Sequence, residues 1–169
     1  YDANKEVYRL LRYGVKVKQG AGEQTQTVYL INWKEPEKND FAIAEEVTVK
    51  GENKKRPDIV LYVNGIALGV IELKRACVSV SEGIRQNLDN QKKAIIRNFF
   101  TAMQLLMAGN DTEGLRYGTI ETPEKYYLTG KEENPAYNPD IDERDIKYLS
   151  STECDDGDNP LDWALLRLC

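Results

Sequence analysis

Asp58, Glu72 and Lys74 are the residues of this chain best placed to do chemistry. They fall in the stretch Arg56-Pro57-Asp58-Ile59-Val60-Leu61-Tyr62-Val63-Asn64-Gly65-Ile66-Ala67-Leu68-Gly69-Val70-Ile71-Glu72-Leu73-Lys74, which is otherwise almost wholly apolar. Buried charges are costly unless they are paired or bind a metal. Two carboxylates and an amine at the ends of buried strands therefore read as working groups rather than solvated surface. Hydrolysing a phosphodiester needs a hydroxide-like nucleophile, relief of charge on the phosphorus oxygens and a stabilised leaving alkoxide, and hard divalent cations on oxygen ligands supply all three. Asp58 and Glu72 suit Mg²⁺, joined by the backbone carbonyl of Leu73. Lys74, two residues from Glu72 and so on the same strand face, can orient or deprotonate the attacking water. Any one of these residues alone is uninformative, because strand ends often carry Asp, Glu and Lys. The ordered set, Pro-Asp, thirteen residues, Glu-x-Lys, carries the reading.

Register decides whether such a site can assemble. Asn64-Gly65 is a strong turn signal between two apolar runs. A two-residue turn opposing Val63 to Ile66, continued regularly, sets Asp58 against Ile71 and leaves Asp58 and Glu72 on opposite faces. A three-residue turn with Gly65 left-handed in a bulge opposes Tyr62 to Ile66 instead. Asp58 then pairs with Val70, and Glu72 and Lys74 share its face. The sequence thus predicts the bulged turn, or an equivalent irregularity near Asp58.

The elements around the hairpin follow from period and punctuation. Asp2 is the expected cap of a helix over 3–13, with Val7, Leu10 and Leu11 as its apolar stripe and Gly14 at its C-terminus. A turn at 19–23 precedes a β-rich run over Thr27–Trp33, a loop over 34–40 and a strand over Phe41–Val49. Residues 50–56 read as a basic loop. Ser79 and Glu82 form a capping box that opens a helix to about Arg97, with Ile84, Leu88, Gln91, Ile95 and Phe99 on one face and Gln86, Asn90, Lys93 and Arg97 on the other. Further strands are expected over 99–107, 116–120 and 126–128, then a loop or linker over 131–145 and a helix near 160–168. The order helix, three strands, helix, strand predicts an α/β domain with a mixed central sheet flanked by helices. No internal repeat is present.

Composition narrows the chemistry. The 169 residues are 41% hydrophobic and 30% charged, which fits one soluble globular domain. No apolar run is long enough to span a bilayer, and the start lacks the layout of a secretory signal. A first residue other than Met and an abrupt apolar end suggest a piece of a longer protein. The three cysteines, odd in number and without metal-ligand spacing, point to a reducing cytoplasm rather than to disulfides or zinc. There is no histidine, which excludes every mechanism that needs an imidazole. The net charge of −5 argues against an autonomous tight DNA binder, though not against a cleavage module brought to DNA by partners.

On Pro57-Asp58, Glu72-Leu73-Lys74 and the phrases around them, the chain resembles the N-terminal nuclease domain of the motor (R) subunit of type I restriction enzymes, in the PD-(D/E)xK nuclease superfamily. The resemblance covers about residues 1–130, with 131–169 an extension or linker toward translocase domains that the chain lacks. It implies a PD-(D/E)xK core (αβββαβ), Mg²⁺-dependent cleavage of double-stranded DNA and a bacterial or archaeal cytoplasm. It also implies methyltransferase and specificity subunits as partners, and ATP only in the full-length subunit. By this resemblance Asp58 and Glu72 are metal ligands and Lys74 the catalytic lysine. Gln86 matches the glutamine of a Gln-x-x-x-Tyr helix motif whose tyrosine position is Asn90 here. No phosphate-binding loop of the Gly-x-x-x-x-Gly-Lys-Ser/Thr kind is present. Lys54, Lys55 and Arg56, just before Asp58, are candidate phosphate contacts, as are Lys93 and Arg97 on the helix face of Gln86. Each also fits a merely solvated surface. Glu6 is a weaker candidate for a further metal ligand. Trp33 and Trp163 read as core or interface residues rather than base-stacking platforms. The alternatives to a restriction motor are a stand-alone nuclease or junction resolvase, and a catalytically silent module that mediates subunit contacts.

Overall fold

A computed structural model describes residues 2–130; the loop expected over 131–145 and the helix expected near 160–168 lie outside them. Helix α1 (Asp2–Tyr13) ends as expected on Gly14, whose φ of 78° is a conformation glycine adopts without strain. The Gly14 amide donates to the Leu10 carbonyl at 2.9 Å. Strands β1 (Val15–Val17) and β2 (Gln26–Val28) form a separate antiparallel ribbon around the expected turn.

The strand expected over Thr27–Trp33 stops at Val28, because side-chain amides take over the backbone that follows. Asn39 Oδ1 accepts from the Asn32 amide at 2.8 Å, and Asn39 Nδ2 donates to the Asn32 carbonyl at 3.0 Å. Asn64 Nδ2 donates to the Leu30 carbonyl at 2.8 Å. Such bonds offer the chain an alternative to a sheet ladder. Strand β3 (Phe41–Glu45) also ends early, at Glu46, which has φ 51° and whose amide donates to the Asp58 carbonyl at 2.8 Å. The expected basic loop instead contains a small hairpin of β4 (Val49–Lys50) and β5 (Lys54–Lys55).

The main sheet has six strands in the order β10-β9-β8-β7-β6-β3. They are β6 (Ile59–Val63), β7 (Ile66–Leu73), β8 (Leu105–Asn110), β9 (Gly114–Gly118), β10 (Leu128–Thr129) and the edge strand β3. Every pairing is antiparallel except β7 with β8. Parallel neighbours require a crossover, and helix α2 (Val80–Asn90) lies within it. The main-sheet elements and the two helices run α1, β3, β6, β7, α2, β8, β9, β10; the first six follow the expected order, and the sheet is mixed as expected.

The hairpin turn differs from the expectation in place but not in consequence. Asn64 (φ 51°) and Gly65 (φ 76°) make a two-residue turn, with Val63 opposite Ile66. The backbone twist of such turns matches that of the strands they join. The irregularity comes further along: Tyr62 faces Ala67, whereas Leu61 faces Gly69, so Leu68 is the extra residue of a β-bulge. Its carbonyl accepts from the Gln104 amide at 2.8 Å. Beyond the bulge Val60 faces Val70 and Ile59 faces Ile71. One further step sets Asp58 beside Glu72, on one face.

Helix α2 is capped by Ser79, whose hydroxyl accepts from the Ser81 amide at 3.3 Å. The second half of the expected capping box is absent. Glu82 pairs with Arg85 at 2.6 Å, and Glu113 takes the Val80 amide at 2.9 Å. The helix stops at Asn90 rather than near Arg97. Tertiary contacts override the helical period: Asn53 Nδ2 donates to the Ala94 carbonyl at 2.5 Å, and Gln91 Oε1 accepts from the Glu121 amide at 2.7 Å. The strand expected from Phe99 begins only at Leu105. Residues Arg97–Thr101 form a 3₁₀ turn that drops Phe100 into the core with Val60, Val70, Ile96, Met103 and Leu106.

Contact between α2 and the sheet is close at Gly83. A Cβ there would lie 2.9 Å from the Ala108 Cβ and 3.4 Å from the Glu72 carbonyl oxygen. Ala108 is fully buried on β8, so neither side can yield. We expect Gly83→Ala to lower stability by about 1–3 kcal/mol through overpacking, against the roughly 1 kcal/mol that alanine contributes in a helix interior. Chemical denaturation checks this, and Ala108→Gly in the same chain should recover part of the loss.

Candidate active site

Four residues named from the sequence converge where the ends of β6 and β7 meet α2. Pro57, fully buried, fixes the φ angle of the chain immediately before Asp58. Asp58 Oδ2 accepts from the Leu73 amide at 2.8 Å, which ties the carboxylate across the hairpin. Glu72 follows on β7 at 0% exposure. Lys74 lies just past the strand, but its amide donates to the Gly109 carbonyl at 2.9 Å, so it continues the alternation and shares the Glu72 face. Gln86, one turn along α2 from Gly83, bridges the two: its Nε2 donates to Glu72 Oε2 at 2.6 Å, and its Oε1 accepts from Lys74 Nζ at 2.8 Å. Leu73 joins through its amide.

Electrostatics set Glu72 apart. Its pKa is raised to about 8, chiefly by burial and next by the neighbouring Asp58 charge, with Lys74 and Lys55 opposing the rise. As a carboxylate it has one oxygen held by Gln86, while the buried Oε1 lacks a hydrogen-bond partner. Protonated, it can hydrogen-bond Asp58, a further reason the neutral form is favoured. An orphaned buried carboxylate oxygen beside a second carboxylate is the donor set a hard cation takes, so the residues present fit Mg²⁺. Among the described residues no three or more His, Cys, Asp or Glu side chains are grouped so as to hold a metal ion. An ion here would therefore rely on the two carboxylates, backbone oxygen and water.

Two open clefts, each about 550 Å³, adjoin the cluster. One is lined by Glu45, Glu46, Asp58, Leu73 and Arg75, the other by Lys55, Arg85, Gln86 and Asn90, and Lys74 lines both. Lys54 and Lys55 are exposed on β5. Arg56 pairs with Glu46 at 3.2 Å. The shared helix face expected for Gln86, Lys93 and Arg97 does not form, because α2 ends before Lys93. Lys93 lines a depression beside Lys50 and Ile96, and Arg97 pairs with Glu121 at 3.6 Å. Glu6 holds Arg9 at 2.6 Å. Asn90, at the expected tyrosine position, is buried with its Oδ1 unpartnered.

Residues not singled out from the sequence position α2. Asn87, fully buried, donates from Nδ2 to the Met107 carbonyl at 2.8 Å. Asn110 Oδ1 accepts from the Glu113 amide at 2.5 Å, steadying the carboxylate that caps the helix. The cap lowers the Glu113 pKa, chiefly through the Val80 amide. A Glu three residues after an Asn is too common a pattern to mark a distant helix cap.

Taken together, fold and site define a mixed-sheet α/β domain carrying a carboxylate, lysine and glutamine cluster between its sheet and its second helix. A family model described as the type I restriction enzyme R protein N terminus matches residues 1–125, and the chain belongs to that family. Similar proteins include a Staphylococcus saprophyticus type I restriction enzyme endonuclease subunit, SsaAORF53P, 31% identical over 57% of this chain and 11% of its own length. The HindI endonuclease subunit of Haemophilus influenzae is 33% identical over 42% of this chain and 7% of its own length. A Staphylococcus aureus endonuclease subunit, SauCOLORF180P, is 29% identical over 45% of this chain and 8% of its own length. The chain thus matches only about a tenth of the length of these relatives. No helix among the described residues is long and apolar enough to cross a membrane.

The raised pKa of Glu72 has a stability consequence with a definite sign. Between the ordinary carboxylate value and about 8, the folded state keeps a proton that the unfolded state has released. Stability of the metal-free chain attributable to this group is therefore complete at lower pH and falls as pH rises through that window, by about 1.4 kcal/mol for each pH unit crossed. Glu72→Gln keeps an acceptor for Gln86 and never ionises. We expect its melting temperature in EDTA to exceed that of the parent at pH 8 and to converge with it near pH 5. Parallel curves would place Glu72 in a more polar setting.

Proposed function

We propose that this domain is a Mg²⁺-dependent endonuclease of the PD-(D/E)xK superfamily that cleaves double-stranded DNA within a type I restriction motor subunit. The observation that carries the reading is the convergence of Asp58, Glu72, Lys74 and Gln86, with a buried Glu72 oxygen left without a partner. Family membership supports it, as do the endonuclease names of the relatives. In the full-length subunit an ATP-driven translocase shares the chain, and methyltransferase and specificity subunits select the DNA.

Asp58, Glu72 and the Leu73 carbonyl are the proposed ligands of the ion. Bound there, Mg²⁺ supplies positive charge against the phosphate oxygens and acidifies the attacking water. Lys74 contributes a cation and a proton-transfer group at the junction of both clefts. Gln86 fixes the Lys74 ammonium relative to Glu72, so neither side chain has to reorganise when substrate arrives. Lys54 and Lys55 offer charge to the DNA backbone on the approach to Asp58. Arg56 joins them only if it leaves Glu46.

Ion binding is expected to raise the melting temperature of the parent chain at pH 8 on addition of Mg²⁺, and Asp58→Asn should abolish the rise. In the assembled enzyme, Lys74→Ala is expected to reduce DNA cleavage by roughly 10²–10⁴-fold, as for loss of a positioned acid–base group, while ATP hydrolysis persists. A plasmid-cleavage assay checks this, and undiminished cutting would reject the assignment.

A further inference from the structure

A second concave surface lies at the C-terminal end of α1, built from residues outside the cluster above. It has a volume of about 770 Å³, within the roughly 300–1,000 Å³ common for ligand sites. Trp33 is fixed there: its indole Nε1 donates to the Leu11 carbonyl at 2.9 Å, and the Arg12 guanidinium lies 5.2 Å from the ring centroid. The Trp33 side chain nevertheless stays 48% exposed, and Tyr13 and Tyr29 beside it are 68% and 67% exposed. Lys34 completes the rim over a floor of Ile31.

This surface is preformed. Gly14, with φ 78°, packs so tightly on β2 that a Cβ would lie 2.8 Å from the Val28 carbonyl oxygen and 3.2 Å from the Tyr29 ring, which brings Tyr13 and Tyr29 together. Asn32 Oδ1 accepts from the amides of Lys34 and Glu35 at 3.2 and 3.1 Å, and this holds the Trp33 loop in shape. Of the two sequence readings of Trp33, core or interface, its exposure excludes the core.

Chemistry selects the occupant. Among the described residues lining the surface there are two cations and no carboxylate, in a chain of net charge −5. Flat aromatic faces beside positive charge match a ligand with planar rings and phosphates, and every base offers a face to stack. Bases inside a duplex have both faces covered, so the ligand must be unpaired. We infer that the Tyr13, Tyr29 and Trp33 surface, with Arg12 and Lys34, binds an unpaired DNA strand. The choice of DNA rests on the nuclease reading; the unpaired, polyanionic character rests on the surface itself.

The test is fluorescence anisotropy of a short labelled oligothymidylate with the 169-residue chain in EDTA, so that no cleavage intervenes. Binding is expected, with a matched duplex bound more weakly. The double variant Tyr13→Ala with Tyr29→Ala should weaken it about tenfold or more, given the usual contribution of base–aromatic stacking. Both tyrosines are exposed, so folding should survive, and thermal melting verifies it. Arg12→Gln provides a second variant should the double one not fold, and it too should weaken binding. Absence of binding by the parent, equal affinity for the duplex or unchanged affinity in the folded variants would overturn the inference. So would self-association of the parent that the tyrosine substitutions abolish, which would assign the surface to a second copy of the chain. The Tyr13 and Tyr29 substitutions leave the Mg²⁺-induced rise in melting temperature intact, so the inference and the nuclease reading fail separately.

Discussion

An acid with no exposure to water sits beside another acid, and the surrounding structure is arranged around that conflict. Glu72 is held in place by a β-strand on one side and by Gln86 on the other, yet one of its oxygens has no partner. In a fold selected only for stability, a carboxyl group so placed would cost several kcal/mol whenever it ionised, and an apolar residue would serve better. Local conflicts of this kind are expected where function rather than folding chose the residue. A proton relieves the strain, and a cation held by the same oxygens would compete with it.

Positioning falls mainly to helix α2. Gly83 permits close approach to β8, Asn87 hydrogen-bonds into the strand, and Glu113 closes the first turn from the β8–β9 connection. These three contacts are spread along the helix, so Gln86 has little freedom to swing. The exposed ion pairs of Arg85 with Glu82 and Glu124 add little by comparison, since exposed pairs contribute about 0–1 kcal/mol.

Much of this is legible in the residues. Asp58, Glu72 and Lys74 stand out because charge interrupts an apolar run, and the need for an irregular register follows from counting alternate faces. Its location does not follow. Asn64-Gly65 satisfies a two-residue turn by itself, and Leu68 has no local feature that marks a bulge; the Gln104 amide that engages its carbonyl comes from a distant part of the chain. The length of α2 is hidden for the same reason. Ile95 and Phe99 continue the helical period, but Asn53 and Glu121 draw that segment away. Element order and the pattern of charged residues are local or nearly so, whereas the ends of strands and helices are decided by partners far along the chain.

The bulge at Leu68 turns chain length into a matter of odd and even. Each residue added or removed between Leu61 and Glu72 exchanges inside for outside along the rest of β7, so a single insertion would carry Glu72 and Lys74 to the opposite side from Asp58 while leaving the composition of the hairpin intact. Two compensating changes would restore them. Variation in hairpin length that keeps the cluster working must therefore come in pairs, or else with the loss of the bulge itself.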